Sequence, residues 1–233
     1  MSSYSFEIGD EAPQASDALL RMNRMYRWQR HIYDATRRYY LLGRDRMIAD
    51  LHPAAGAHVL EIGCGTGRNL VHAARRYPQA RFFGIDVSTE MLTSAMSAIA
   101  CTDLADRIRL AHADATSANP QILFAVAGFD EVMISYSLSM IPEWLHVLEG
   151  AVRLLRPGGR LHVVDFGDLE RLPAMRAPLL RWLALFGVTP RDALEQELSA
   201  LALASGADVR FERLFLGYAQ YAVLTLPEGR GRP

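Results

Sequence analysis

From His58 onward, short apolar runs alternate with stretches whose apolar residues recur every three or four positions. The runs His58–Ile62, Arg81–Ile85, Ile108–Ala113, Asp130–Tyr136 and Arg160–Phe166 predict five strands. Helices are predicted at Arg68–Tyr77, stopped by Pro78, and from Ser88 through Ile99, where Ser88 can cap and Glu90 sits early. A third covers Glu143–Leu155, ended by Pro157-Gly158-Gly159, and a fourth covers Asp192–Ser205, closed by Gly206. Val209–Leu216 and Tyr218–Leu226 follow with almost no loop between them, which reads as a terminal hairpin. Strands separated by helices imply a mostly parallel sheet with right-handed crossovers. The expected fold is α/β: a Rossmann-like, mostly parallel sheet with helices on both faces and a C-terminal antiparallel hairpin.

The first strand runs into Glu61-Ile62-Gly63-Cys64-Gly65-Thr66-Gly67. Glycine at every second position allows a sharp turn and lets a ligand approach bare backbone. The turn opens a helix whose free N–H groups face the ligand. A dinucleotide fingerprint needs a sixth-position glycine, where this chain has Arg68. The pattern E-x-G-x-G-x-G instead resembles motif I of the class I S-adenosylmethionine (SAM)-dependent methyltransferases. Gly84-Ile85-Asp86-Val87-Ser88 is the second signal. A carboxylate at Asp86 can accept both ribose hydroxyls of an adenosine, or it can cap a helix. The third is His112-Ala113-Asp114-Ala115, where Asp114 can accept from an adenine amino group and Ala115 N–H can meet a ring nitrogen; a solvated loop acid is the plainer alternative. Met91 can pack on adenine or serve as core. Gly63, Asp86, Asp114 and Ser135-Tyr136 all fall at the carboxyl ends of strands, where ligands of open parallel sheets sit. Leu154-Leu155-Arg156-Pro157-Gly158-Gly159-Arg160-Leu161 is similar to the L-x-P-G-G-x-L turn of the same superfamily.

That resemblance covers about residues 57–226 and implies a seven-stranded methyltransferase fold with SAM as cofactor. It implies cofactor contacts from Glu61, Gly63, Cys64, Gly65, Gly67, Asn69, Asp86, Val87, Met91, Asp114, Ala115 and Ser135, to which the narrower resemblance of the N-terminal stretch described below adds Tyr33 and Arg44.

Composition narrows the partners. The chain has 233 residues, enough for one α/β domain with a sizeable core, and half are hydrophobic. A net charge of −1 gives no overall bias toward nucleic acid. All 25 basic residues are Arg. Cys64 and Cys101 lack metal-ligand spacing, and no metal is expected. Residues 1–17 are polar and acidic, which predicts no secretory segment, and no run of about 18 apolar residues predicts a membrane span. The expected location is cytoplasmic, peripheral to the inner face of a membrane if the acceptor is a lipid.

Residues 1–50 read as an N-terminal helical arm over the site, and 51–233 as the methyltransferase domain. Within the arm, Met25-Tyr26-Arg27-Trp28-Gln29-Arg30-His31-Ile32-Tyr33-Asp34 continues to Arg37-Arg38-Tyr39-Tyr40-Leu41-Leu42-Gly43-Arg44-Asp45-Arg46. Together with Ile134-Ser135-Tyr136-Ser137-Leu138-Ser139-Met140-Ile141-Pro142 and Val164-Asp165-Phe166-Gly167-Asp168, it resembles the bacterial betaine-lipid N-methyltransferases, which trimethylate diacylglycerylhomoserine. Tyr33-Asp34 and Gly43-Arg44 also resemble the phosphatidylethanolamine N-methyltransferases. Residues 21–46 carry eight Arg against two Asp, interleaved with Tyr26, Trp28, Tyr33, Tyr39 and Tyr40. Such a segment suits an anionic membrane surface, each cation contributing about 1 kcal/mol; a helical cap over the cofactor is the alternative, and a nucleic-acid contact, disfavoured by the near-neutral overall charge, is the third. The stretch from Leu169 to Val188 reads either as an interfacial helix admitting a lipid or as an amphipathic helix packed on the domain.

Methyl transfer from a sulfonium is an in-line displacement. The protein must hold the acceptor about 3–3.5 Å from the methyl in a dry site. An acceptor nitrogen must be neutral, so its proton must leave first. Tyr40 and Tyr136 are the candidates to orient it or pass that proton to water, ahead of His146 and Asp165. Arg44 or Arg46 can pair with a carboxylate. Three functions remain: a lipid N-methyltransferase, a methyltransferase of a soluble small molecule, and a SAM-binding module without catalysis.

Overall fold

The computed structural model describes residues 41–169, 171 and 173–229. Seven strands, β1 (His58–Ile62), β2 (Arg81–Asp86), β3 (Ile108–His112), β4 (Phe129–Ser135), β5 (Leu155–Phe166), β6 (Asp208–Leu214) and β7 (Ala219–Thr225), form one sheet. Its order is β3-β2-β1-β4-β5-β7-β6. The first five strands are parallel, and β7 runs antiparallel between β5 and β6. The helices among the described residues are α1 (Arg44–Ala49), α2 (Arg68–Arg76), α3 (Thr89–Ala100), α4 (Pro120–Phe124), α5 (Trp144–Arg153), α6 (Pro173–Ala184) and α7 (Leu194–Ser205). The expected α/β architecture is therefore present, closing hairpin included.

Continuous apolar runs made the central strands, because a parallel strand is buried on both faces. In β4 every residue but Asp130 is buried. On one face Ile62, Ile134, Leu161 and Val163 pack with Val147 and Leu148 of α5 and Leu194 and Leu198 of α7. Ser88 caps α3 as expected, its Oγ accepting from Met91 N at 3.2 Å.

Four local readings change. Helix α4 was not anticipated, since five residues show no period; Asn119 starts it by accepting from Gln121 N at 3.0 Å, with Pro120 following. Pro157-Gly158-Gly159 does not end α5 but lies within β5, where a register shift occurs opposite Phe129/Glu131. A side chain at Gly159 would meet the carbonyls of Arg156 and Asp130 at 2.8 and 3.1 Å. Strand β4 ends at Ser135, because Tyr136 turns to φ 55°. Strand β6 stops at Leu214, and a 3-10 turn, Phe215–Gly217, makes the hairpin tip.

Residues 42 onward form one compact unit. The described end of the arm belongs to it: Met47 and Ile48 of α1 are buried, and Tyr77 donates to the carbonyls of Ile48 and Ala49 at 2.9 and 3.0 Å. Among the described residues no helix is long and apolar enough to cross a membrane.

Candidate active site

Strand order reverses between β1 and β4, so the loops beyond their carboxyl ends diverge and leave a crevice. The glycine turn occupies that point. Gly63, Gly65 and Gly67 all take left-handed conformations, with φ of 73°, 52° and 70°. A side chain at Gly63 would also lie 2.6 Å from Ser137 Cβ. Gly63 N and Cys64 N both donate to Ile85 O, at 2.9 and 3.0 Å, which fastens the turn to β2.

The acids beside the turn are part of its construction. Asp86 accepts from Gly65 N at 2.7 Å through Oδ2 and from Ser88 N at 2.9 Å through Oδ1. The two alternatives for Asp86 thus coexist: it sets the turn, and each oxygen keeps a lone pair for a ribose hydroxyl. Glu61 is buried and accepts from Asn69 Nδ2 at 2.7 Å, tying β1 to the first turn of α2. Cys64 is buried; burial first, then the charges of Glu61 and Asp86, drive its thiol far above the usual range and keep it protonated.

Along the next two strand ends stand the remaining cofactor candidates. Val87 is 67 % exposed directly after Asp86, and Met91 is partly buried one helical turn on. Asp114 is exposed and uses Oδ1 to accept from Thr116 N and Oγ1, at 2.8 and 2.7 Å, which lowers its pKa. Its Oδ2 accepts no hydrogen bond among the described residues. Ala115 is partly buried beside it. On β4, Ser135 Oγ is buried with no hydrogen-bond partner among the described residues, an orphan that a polar ligand would satisfy. Bare glycine backbone, two carboxylates with spare acceptor capacity, exposed Val87 and the Ser135 hydroxyl fit the polar and apolar parts of an adenosyl ligand. The described residues gather no group of three metal-ligating side chains.

Tyr136 directly follows β4. Its ring is buried against Phe166, with centroids 4.7 Å apart, and its hydroxyl donates to Leu42 O at 2.5 Å. Burial, then the charge of Asp165, pushes its pKa well above the ordinary phenol value. Held on a backbone carbonyl, this hydroxyl positions the chain. It orders the segment entering α1, where Arg44 lies near enough to act electrostatically on the phenol. Tyr33 and Tyr40 lie outside the described residues.

The carboxyl ends of β4 and β5 hold groups that sequence reasoning ranked low or missed. Asp165 is fully buried and accepts from Ser139 N at 3.0 Å and Phe166 N at 2.7 Å. Burial raises its pKa to about 6 against those hydrogen bonds. Arg191 donates to the carbonyls of Leu138 and Ile141, at 3.0 and 2.7 Å. Together they fix the loop carrying Ser137, whose Oγ donates to Ile62 O at 3.1 Å against the glycine turn. An acid inside an apolar strand was the available signal for Asp165.

Comparison with known proteins agrees with this geometry. Residues 59–159 match the methyltransferase domain family. The chain is 34 % identical over 122 residues to the 27-O-demethylrifamycin SV methyltransferase of Amycolatopsis mediterranei, covering 52 % of this chain and 43 % of that protein. It is 32 % identical over 133 residues to the ubiquinone/menaquinone biosynthesis C-methyltransferase UbiE of Paracoccus denitrificans, covering 57 % and 49 %. The match thus spans about half the length of these curated relatives. An O-methyltransferase family protein from Burkholderia thailandensis shares the fold, with a TM-score of 0.67 at 19 % identity over 85 % of this chain and 59 % of that one.

Proposed function

We propose that the chain is a class I SAM-dependent methyltransferase that transfers the methyl group of SAM to an acceptor held beyond β4 and β5, a reading supported by the match of residues 59–159 to the methyltransferase domain family. SAM supplies a methyl already activated by its sulfonium. The protein's own task is to bind, orient and exclude water. Gly63, Gly65 and Gly67 hold open backbone for the ligand, Asp86 and Asp114 offer acceptors, and Ser135 offers its buried hydroxyl. The Gly65 N–Asp86 bond carries this reading, since it builds the glycine turn and the strand-end acid into one unit.

For the acceptor we propose the amino group of a lipid, diacylglycerylhomoserine first and phosphatidylethanolamine next. The support is the arginine and aromatic pattern of residues 25–46 and the segments at 134–142 and 164–168. The named relatives methylate oxygen and carbon, so they support the methyl donor and not the acceptor atom. Their O- and C-methylation favours a second reading, a small-molecule methyltransferase on the same scaffold.

Incubation with methyl-labelled SAM and diacylglycerylhomoserine is expected to give mono-, di- and trimethylated lipid. Label only in soluble compounds would transfer the case to the second reading. Gly65→Val, a β-branched residue forced to positive φ, is expected to abolish SAM binding in calorimetry. Wild-type affinity in that variant would overturn the cofactor site.

A further inference from the structure

Helix α6 is poorly covered for so apolar an element. Within 174–184 only Leu183 is buried. Met175 is 58 % exposed and Leu185, one residue past the helix, 73 %. Trp182, stacked edge-on against Phe186 at 5.1 Å, is also exposed. An amphipathic helix at a water surface normally turns polar residues outward. Twelve residues interrupted by Pro178 have little helical stability of their own in water.

Its ends are fastened at the acceptor side of the sheet. Before α6, Leu169 N donates to Gly217 O at 2.9 Å; after it, Thr189 N donates to Ser139 O at 2.8 Å. The helix is therefore a strap between the carboxyl ends of β5 and β4. The same end carries the hairpin tip, since Leu214 and Phe166 both pair with Ala219. There Phe215 and Leu216 take φ of 52° and 60°, conformations costly for any residue but glycine, and both are about half exposed. The backbone spends strain to present two apolar side chains outward.

Charge chooses the occupant. Residues 171–191 contain four Arg and no acid. Arg191 turns inward to Leu138 and Ile141, and Arg176 pairs with Asp192 at 3.0 Å. Arg171 and Arg181 stay exposed among Leu, Met and Trp. Cations interleaved with apolar and tryptophan side chains suit the headgroup region of an anionic bilayer. We propose that α6 and the Phe215–Leu216 tip dock the acceptor end of the sheet onto an anionic phospholipid surface. The proposal rests on the reading of the acceptor as a membrane lipid, and it assigns the contact to residues outside the arginine-rich stretch of the sequence.

The full chain is tested by co-sedimentation with phosphatidylglycerol and phosphatidylcholine vesicles, with SAM affinity measured in parallel. Binding is expected to phosphatidylglycerol alone and to fade with salt. Arg171→Gln with Arg181→Gln is expected to weaken it roughly thirtyfold, about fivefold per cation. Met175→Ser with Leu185→Ser is expected to weaken it too, with SAM affinity unchanged in every variant. Brominated lipid is expected to quench tryptophan fluorescence in wild type and less in Trp182→Phe. Vesicle binding undiminished in these variants would overturn the proposal and leave attachment to the arm. Lipid-independent self-association abolished by the same substitutions would overturn it in favour of an interface between copies. SAM affinity with no vesicle binding refutes the docking alone; no SAM affinity in wild type refutes the methyltransferase reading instead.

Discussion

The two halves of the sheet are held by different means. In β1–β3 the site is backbone: glycines at positive φ, amides donating to Ile85 O, and one carboxylate closing the turn from 21 residues away. In β4–β7 the face opposite α5 and α7 is held by a buried polar network. Glu131 meets Arg160 at 2.5 Å and His162 at 2.9 Å. His162, fully buried, lies 3.1 Å from the Tyr221 hydroxyl, which reaches Asp50 at 3.3 Å. Arg160 also donates to Leu51 O, so the network pins the end of α1 to the sheet. Burial lowers the pKa of His162 and favours the neutral ring, which donates from Nε2 to Glu131. The first half shapes the proposed cofactor site, whereas the second seats the segment around α1.

The two halves are expected to fail differently. The largest effect is expected in the network. Glu131→Ala strips Arg160 and His162 of a shared buried partner and is expected to cost about 3–5 kcal/mol of stability in urea unfolding. SAM affinity, measured where the variant is still folded, should stay within about twofold; a larger loss would merge the halves. Next comes Asp165, which ionises less readily folded than unfolded, near 6 against 3.8. Its contribution to stability is full below about pH 4 and is lost as pH rises through about 6, a difference of about 3 kcal/mol. Asp165→Asn is expected to flatten the unfolding free energy across that window; an unchanged slope would refute the assignment. The smallest is Asp86→Ala, expected to weaken SAM binding by about 1.5–3 kcal/mol in calorimetry, through the ribose and the Gly65 tether together. A variant that lost stability yet kept SAM affinity would make Asp86 a structural acid only.

This contrast also explains what the sequence made legible. The cofactor half rests on short-range rules: a glycine that must turn, an acid at a strand end, a serine cap at Ser88. Each leaves a mark within a few residues. The hairpin was legible for the same reason, although its tip was not, because nothing in Phe215-Leu216 announces positive φ. The other half rests on partners far apart in the chain. Glu131 and His162 are separated by 31 residues, Tyr136 and Leu42 by 94, and no local pattern pairs them. The partner of Tyr136, a carbonyl at the end of the arm, is therefore not legible from its own surroundings in the chain. The bareness of α6 was equally hidden, since an apolar helix reads the same whether it is covered or not.

The Asp50–Tyr221 contact bears on how the chain comes off the ribosome. Its partners are 171 residues apart, and Tyr221 lies on β7, the last strand to be made. At about 5–20 residues per second, Tyr221 is added roughly 9–34 s after Asp50. The parallel core β1–β5 is synthesised first and must wait with β5 unpaired along the edge that β7 later covers. During that interval the end of α1 has no complete seat. Closing the sheet and seating that segment are thus one late, long-range step. An unpaired edge beside an unseated segment is when the nascent chain is most open to wrong pairing.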